Sequence, residues 1–347
     1  MLQILVDLGW LFTEEGLSEV VLPSPFYQAI RQFPAQFLES WAIVSEHPGL
    51  ESLTKARFRR IYYAAMGGSS LPCDILNDFH DGEPRLELIR DYNLPASAGP
   101  DDLLIAASFS GNTEETLAVL QEALKRGLTC VGLSNGGKLL DAAKDAAIPW
   151  VPIPDCIQPR CATGYFYATL LGLLFRMGRI DSPESELKRL QHFLEGFQDA
   201  AEARGKKLAA SLRDRVPLVY GPSRFQGVCR IWKIKFNENA KIQSFYNVVP
   251  ELNHNEMVGF TRLLMKPALI LLESRSMHPR VERRMEVMKE LLGGEMPIVR
   301  VPAAGDGLLQ EMFASLLIAD YASYYLASEY GIDPAPVAMV EDFKRKL

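Results

Sequence analysis

From residue 61 onward the chain alternates short apolar runs with segments of helical periodicity, and this alternation restricts the fold more than any other feature. The runs at 61–66, 86–90, 103–107, 129–134 and 148–153 have the length of strands. Between them lie turns and amphipathic stretches, such as the one opened by Thr113 with Leu117, Leu120 and Leu124 on one face. Strands separated by helices pair in parallel through right-handed crossovers, with helices on both faces of the sheet. The expected class is therefore α/β, with ligands at the carboxyl ends of the strands.

The pattern then starts again, with strands expected at 217–220, 242–246, 268–272 and 297–301 and a long helix over 308–330. Segment 104–113 can be laid on 270–279. Ser108 and Ser110 correspond to Ser274 and Ser276, while Gly111 becomes Met277 and Thr113 becomes Pro279. A chain of 347 residues has room for two such units. The expected division is a helical N-terminal extension (1–40), a first α/β domain (41–180), a charged helical connector (181–212), a second α/β domain (213–330) and a tail (331–347). Residues 1–55 read as helical and irregular, with Ser24 and Pro25 as a helix start and Phe33, Phe37, Trp41 and Ile43 as a packing face without chemistry.

The third strand ends in a hydroxyl-rich turn, Ser108, Ser110 and Thr113 around Gly111, that feeds a helix. A helix start has unpaired N–H groups and a dipole that favours negative charge. Capping needs only one such hydroxyl, so three of them point to a phosphate. No Lys or Arg lies in the turn, which suits a monophosphate held by neutral donors. Gly67 and Gly68, after the first strand, let backbone approach a ligand and make Ser69 a fourth donor. In the second half, Glu273 and the loss of Gly111 and Thr113 leave a cradle that no longer holds phosphate.

The second half carries the densest polar cluster, 236–241 and then 250–256. Glu238, flanked by Asn237 and Asn239, and His254 are the acid–base candidates for work on a sugar phosphate. The plain alternative for Glu238 is a helix-end carboxylate paired with Lys241. Arg160, at the end of the fifth strand, is either a surface arginine or a stabiliser of a developing oxyanion.

A net charge of −6 argues against a nucleic-acid surface. Five scattered cysteines suit reduced thiols in the cytoplasm, and the five histidines show no metal spacing. The N-terminus has no basic flank of a signal peptide, and the apolar stretch 161–175 is too short to span a membrane.

Residues 66–70 together with 108–116 resemble the sugar isomerase (SIS) domain. With Pro159 and Arg160, the run 237–241 and the run 253–256, the chain resembles the bifunctional phosphoglucose/phosphomannose isomerases over roughly residues 40–347. The resemblance implies two tandem flavodoxin-like SIS domains that interconvert glucose 6-phosphate with fructose 6-phosphate through a cis-enediol, without a cofactor. It implies that Ser69, Ser108, Ser110 and Thr113 hold the phosphate and that Gly67 and Gly68 lie against the substrate. Glu238 would carry the proton between C2 and C1, and Arg160 would steady the enediolate. His254 would help open the ring from the other subunit of a homodimer, with Lys344 as a second ring-opening group beside Arg345 and Lys346. The family tail commonly offers a threonine tied to acceptance of both C2 epimers. Residues 331–347 contain no Ser or Thr, which sets glucose 6-phosphate ahead of mannose 6-phosphate. A non-catalytic sugar-phosphate sensor on the same scaffold is the alternative, but it would not need Glu238 and His254 together. A ketose aminotransferase would require a glutaminase domain, for which the first 55 residues are too few.

Overall fold

The computed structural model describes residues 10–13, 16–19, 24–54, 56–80, 82 and 84–347. Two short strands, β1 (Trp10–Thr13) and β2 (Gly16–Glu19), pair antiparallel ahead of the helices of the N-terminal extension. Residues 1–9 lie outside the described residues. Among the described residues, helices begin at α1 (Pro25–Gln32), where Ser24 Oγ accepts from Tyr27 N at 3.2 Å and Pro25 occupies the first turn. In α2 (Gln36–Ser45), Phe37 and Trp41 are buried.

The first sheet contains β3 (Ile61–Ala64), β4 (Leu86–Ile89), β5 (Leu103–Ala107), β6 (Thr129–Ser134) and β7 (Trp150–Pro152), all parallel, in the order β4-β3-β5-β6-β7. Its helices are α3 (Gly67–Phe79), α4 (Glu114–Lys125), α5 (Gly137–Asp145) and α6 (Thr163–Arg176). All four residues of β3 and all five of β5 are buried, as continuous apolar runs covered on both faces must be. This is the flavodoxin-type order, and the crevice where the winding reverses lies between the carboxyl ends of β3 and β5. Residues 67–70, expected as a turn, are already the first turn of α3, and they and the 108–113 turn both lie there.

Next comes α7 (Glu184–Leu212), a 29-residue helix. Leu187, Leu190, Leu194, Ala201 and Leu208 form a buried stripe at helical spacing, packed along a later helix. Its charged residues occupy the opposite face.

The second sheet repeats the winding with β8 (Val216–Pro222), β9 (Phe245–Val249), β10 (Pro267–Leu272) and β11 (Ile298–Val301), in the order β11-β10-β8-β9. Its helices are α8 (Gln226–Asn239), α9 (Pro279–Leu292) and α10 (Leu308–Glu329), and α11 (Ala338–Lys346) follows as the tail. β9 starts later than its apolar run suggests. Lys241 takes a left-handed backbone (φ 58) after α8, and the chain enters the sheet only at Phe245. One buried apolar cluster runs from Phe26 through both sheets to Leu326, with α3 packed on α8, so the halves share a core. No helix among the described residues is long and apolar enough to cross a membrane.

Candidate active site

The two hydroxyl-rich turns meet. Ser69 Oγ accepts from Phe109 N at 2.9 Å, which ties the turn after β3 to the turn after β5. Ser108 Oγ and Thr113 Oγ1 lie 2.8 Å apart. Thr113 makes no side-chain capping bond to α4, so capping does not account for its hydroxyl. Ser110 Oγ accepts from Asn112 N at 3.2 Å and closes the turn locally. Ser69 and Ser108 are buried, whereas Ser110 is exposed.

Gly111 explains why the turn can be so tight. Its φ is +68, and a Cβ there would lie 1.8 Å from the carbonyl oxygen of Gly136. The turn after β6 thus forms the floor of the turn after β5. Lys138 N also donates to Asn112 Oδ1 at 3.1 Å, and Leu139 N to Gly111 O at 2.9 Å. Sequence reasoning missed this support. Its signal was the Asn135, Gly136, Gly137 triplet at the end of a strand.

Arg160 is not a surface residue. It sits in a short 3-10 turn between β7 and α6 and is 2% exposed. Its neighbour Gly68 brings the start of α3 against it. A Cβ on Gly68 would approach Arg160 N to 2.5 Å and Pro159 C to 2.6 Å, so the 67–70 turn packs backbone to backbone on the arginine turn.

All five guanidinium N–H groups have partners. Nε donates to Asn239 Oδ1 at 2.6 Å. Nη1 donates to Glu238 Oε2 at 3.0 Å and more weakly to Gln158 Oε1 at 3.3 Å. Nη2 donates to the carbonyls of Pro334 (2.6 Å) and Ala335 (3.1 Å). The ring of Phe26 lies under the guanidinium, 5.5 Å from its centroid. Gln36 braces the start of α6, its Nε2 donating to Cys161 O at 2.7 Å and its Oε1 accepting from Gly164 N at 3.0 Å. The N-terminal helices, expected to carry no chemistry, therefore hold the arginine turn.

Glu238 lies in the last turn of α8, and its side chain is 31% exposed, so it is open to a ligand while paired to Arg160. Lys241 is not its side-chain partner. The lysine Nζ donates instead to the Glu238 carbonyl oxygen and to Pro334 O at 3.1 Å. Asn237 Nδ2 donates to Ile242 O at 2.8 Å, and Asn239 Nδ2 to Ser323 Oγ at 2.8 Å. The two asparagines thus fix the helix end on either side of the carboxylate. Below them Lys235 and Asp320 form a buried ion pair. Burial pushes the Asp320 carboxyl up, while Lys235 and Arg160 pull it down.

His254 and Lys344 stand apart from this group. His254 ends an exposed 3-10 turn after β9, and Lys344 is exposed on α11. Neither makes a hydrogen bond to Arg160 or Glu238 within the chain, among the described residues. The second cradle is already filled by the chain's own anion. Ser274 Oγ donates to the buried carboxylate of Glu311 at 2.7 Å, and Arg275 N at 3.3 Å.

A buried arginine paired to a half-open glutamate, beside four hydroxyls, is equipped to shuttle a proton on an anionic substrate. The relatives fit that chemistry. Residues 201–347 match the bacterial phospho-glucose isomerase C-terminal SIS domain. A bifunctional phosphoglucose/phosphomannose isomerase from Caldicellulosiruptor bescii is 30% identical over 338 residues, covering 92% of this chain and 98% of its own. The chain belongs to the bifunctional phosphoglucose/phosphomannose isomerase family. A second relative of that description, from Thermoplasma acidophilum, is 30% identical and covers 85% of this chain and 92% of its own. A D-glucosamine-6-phosphate 4-epimerase from Sulfolobus acidocaldarius is 25% identical over 88% of this chain and 93% of its own. The family is thus one of phosphosugar isomerases with an epimerase among its relatives. The C-terminal domain of glucosamine-fructose-6-phosphate aminotransferase from Francisella tularensis shares the fold, with a TM-score of 0.69 at 12% identity, covering 91% of this chain and 99% of that domain. Two parallel sheets in tandem are therefore the SIS arrangement that the opening motifs suggested.

Proposed function

We propose that this enzyme interconverts glucose 6-phosphate and fructose 6-phosphate, with mannose 6-phosphate as the weaker aldose, and that it does so in the cytoplasm without a cofactor. One observation carries the reading: Glu238 and Arg160 are joined at 3.0 Å, and every other N–H of the arginine is held elsewhere or shared weakly with Gln158. The reaction needs a base for the C2 proton, a positive charge for the enediolate, and help in opening the ring. Glu238 as carboxylate takes the C2 proton. In doing so it becomes neutral, just as negative charge develops on the substrate oxygen. The Nη1–H of Arg160 can then pass from the carboxylate to that oxygen, so the guanidinium keeps one anionic partner throughout. Returning the proton to C1, with the O2 proton passing to O1, forms the C2 carbonyl and the C1 hydroxyl of the ketose.

The phosphate, held by Ser69, Ser108, Ser110, Thr113 and the first-turn N–H groups of α4, supplies binding energy away from the reacting carbons and orients them. Gly67 and Gly68 let backbone close on the sugar. His254 and Lys344 are assigned to ring opening. Their exposure in the single chain supports delivery by a second copy, His254 from the partner of a homodimer. The unpaired cysteines suit a reducing compartment.

The test is a coupled assay of fructose 6-phosphate formation from glucose 6-phosphate and, separately, mannose 6-phosphate, using wild type and Glu238→Gln. The variant is expected to lose roughly 1,000-fold or more in kcat while still binding substrate. Full activity in Glu238→Gln would mean another base. A wild type that binds both sugars without turning them over would make the chain a sensor.

A further inference from the structure

Lys241 does something that capping a helix does not explain. It follows Ala240, the cap of α8, at φ 58, the left-handed position where glycine is the unstrained residue. A lysine kept there is held in a conformation that L side chains rarely adopt. Its ammonium group donates back to the Glu238 carbonyl, as a helix-end cation can. It also reaches across to Pro334 O at 3.1 Å, in the linker between α10 and α11. That same oxygen accepts from Arg160 Nη2 at 2.6 Å. One carbonyl therefore lies between the two cations. Partial burial, then the charge of Arg160, lowers the Lys241 pKa, while Glu238 and Asp333 act the other way. Two like charges stay this close because the carbonyl screens them, so the linker is part of how the arginine is mounted.

We propose that Lys241 is a positioning residue of the isomerase site: through the Pro334 carbonyl it pins the 331–337 linker onto Arg160, so that Nη2 and Nε stay engaged and Nη1 alone changes partner during the reaction. This rests on the isomerase reading above. Without the lysine the carbonyl loses one of its two cations, the linker loosens, and the guanidinium is free to follow it. The enediolate then meets a misplaced donor. Substrate binding through the phosphate turn is not touched.

Three variants of the full chain test this. Lys241→Gly relieves the left-handed backbone and removes the ammonium group. Its melting temperature should equal or exceed that of wild type, while kcat falls roughly 10- to 100-fold with KM within about threefold. Lys241→Met should lose kcat to the same extent, and Lys241→Arg should recover most of it. Hydrogen exchange of the amides in 331–337 should quicken in the Gly and Met variants and stay at the wild-type rate in Arg. A Lys241→Gly enzyme with wild-type kcat overturns the proposal, as does unchanged exchange in 331–337. A melting temperature and kcat that fall together would also overturn it, because that is the signature of a merely structural cap. If wild type turned over neither sugar, the isomerase reading would fail, and the exchange rates would still decide whether Lys241 pins the linker.

Discussion

Gly68→Ala isolates the contact that joins the start of α3, with the proposed phosphate donor Ser69, to the arginine. The added Cβ would stand 2.5 Å from Arg160 N, 2.6 Å from Pro159 C and 2.9 Å from Arg160 Cα, all of them backbone atoms. No side-chain rotation relieves such a clash. To reach the 3.4 Å of ordinary packing, the two turns must separate by about 0.9 Å at the closest pair. The guanidinium is tied to α8 through Asn239 and Glu238, so the shift is shared between Arg160 and Ser69 on the moving turn. Overpacking of this kind costs about 1–3 kcal/mol of stability. A displacement near 1 Å at a reacting group costs about 100-fold in rate, or roughly 2.7 kcal/mol of barrier. The assay is fructose 6-phosphate formation with a thermal melt alongside. Gly99→Ala serves as the control, because a Cβ there meets nothing within 4 Å. The expected result is a kcat lowered about 100-fold in Gly68→Ala and unchanged in Gly99→Ala. A Gly68→Ala enzyme within about threefold of wild type would refute the idea that this backbone contact sets the arginine's position.

Ser108→Ala removes one side of the 2.8 Å hydroxyl pair with Thr113; KM for the sugar phosphate should rise about tenfold and inorganic phosphate should compete less well, and an unchanged KM would place the phosphate elsewhere. Burial pushes the Asp78 carboxyl up to about 7, against the opposing effect of the Gly227 N–H that it accepts at 2.6 Å. The unfolded carboxyl titrates near about 4, so between about pH 4 and 7 the folded state binds more protons and stability falls as pH rises. In Asp78→Asn that slope should flatten, as read from denaturant midpoints against pH; an identical slope in wild type and variant would rule out Asp78 as its source.

Much of this was legible because it is local. The β5 run, the Gly111 turn and the helix that follows are neighbours in the chain, and backbone sterics and apolar periodicity decide them. The same holds for the duplication, since each half repeats the same winding. Misreadings came where tertiary contacts override local pattern. The strand expected from 242 starts three residues later, at Phe245, because Lys241 turns the chain first, and residues 67–70, expected as a turn, already form the first turn of α3.

The residues of the candidate site were all present in the sequence as polar types in suggestive company, but their partners were not. Arg160 meets Glu238 across 78 positions and Pro334 across 174. A guanidinium with five donors could have been satisfied by any acceptor the fold delivered. Which acceptors it received depended on how α8 docks against the turn after β7, and that docking is set by the apolar core shared between the sheets. The sequence by itself determined the two parallel sheets and the tight hydroxyl-rich turn around Gly111, because short-range sterics and burial patterns encode them. Only the tertiary structure decided that Arg160 is buried, that the Lys241 ammonium group meets the carbonyls of Glu238 and Pro334 rather than the Glu238 carboxylate, and that His254 and Lys344 lie outside the single-chain cluster, because long-range side-chain pairing follows from packing that no local stretch contains.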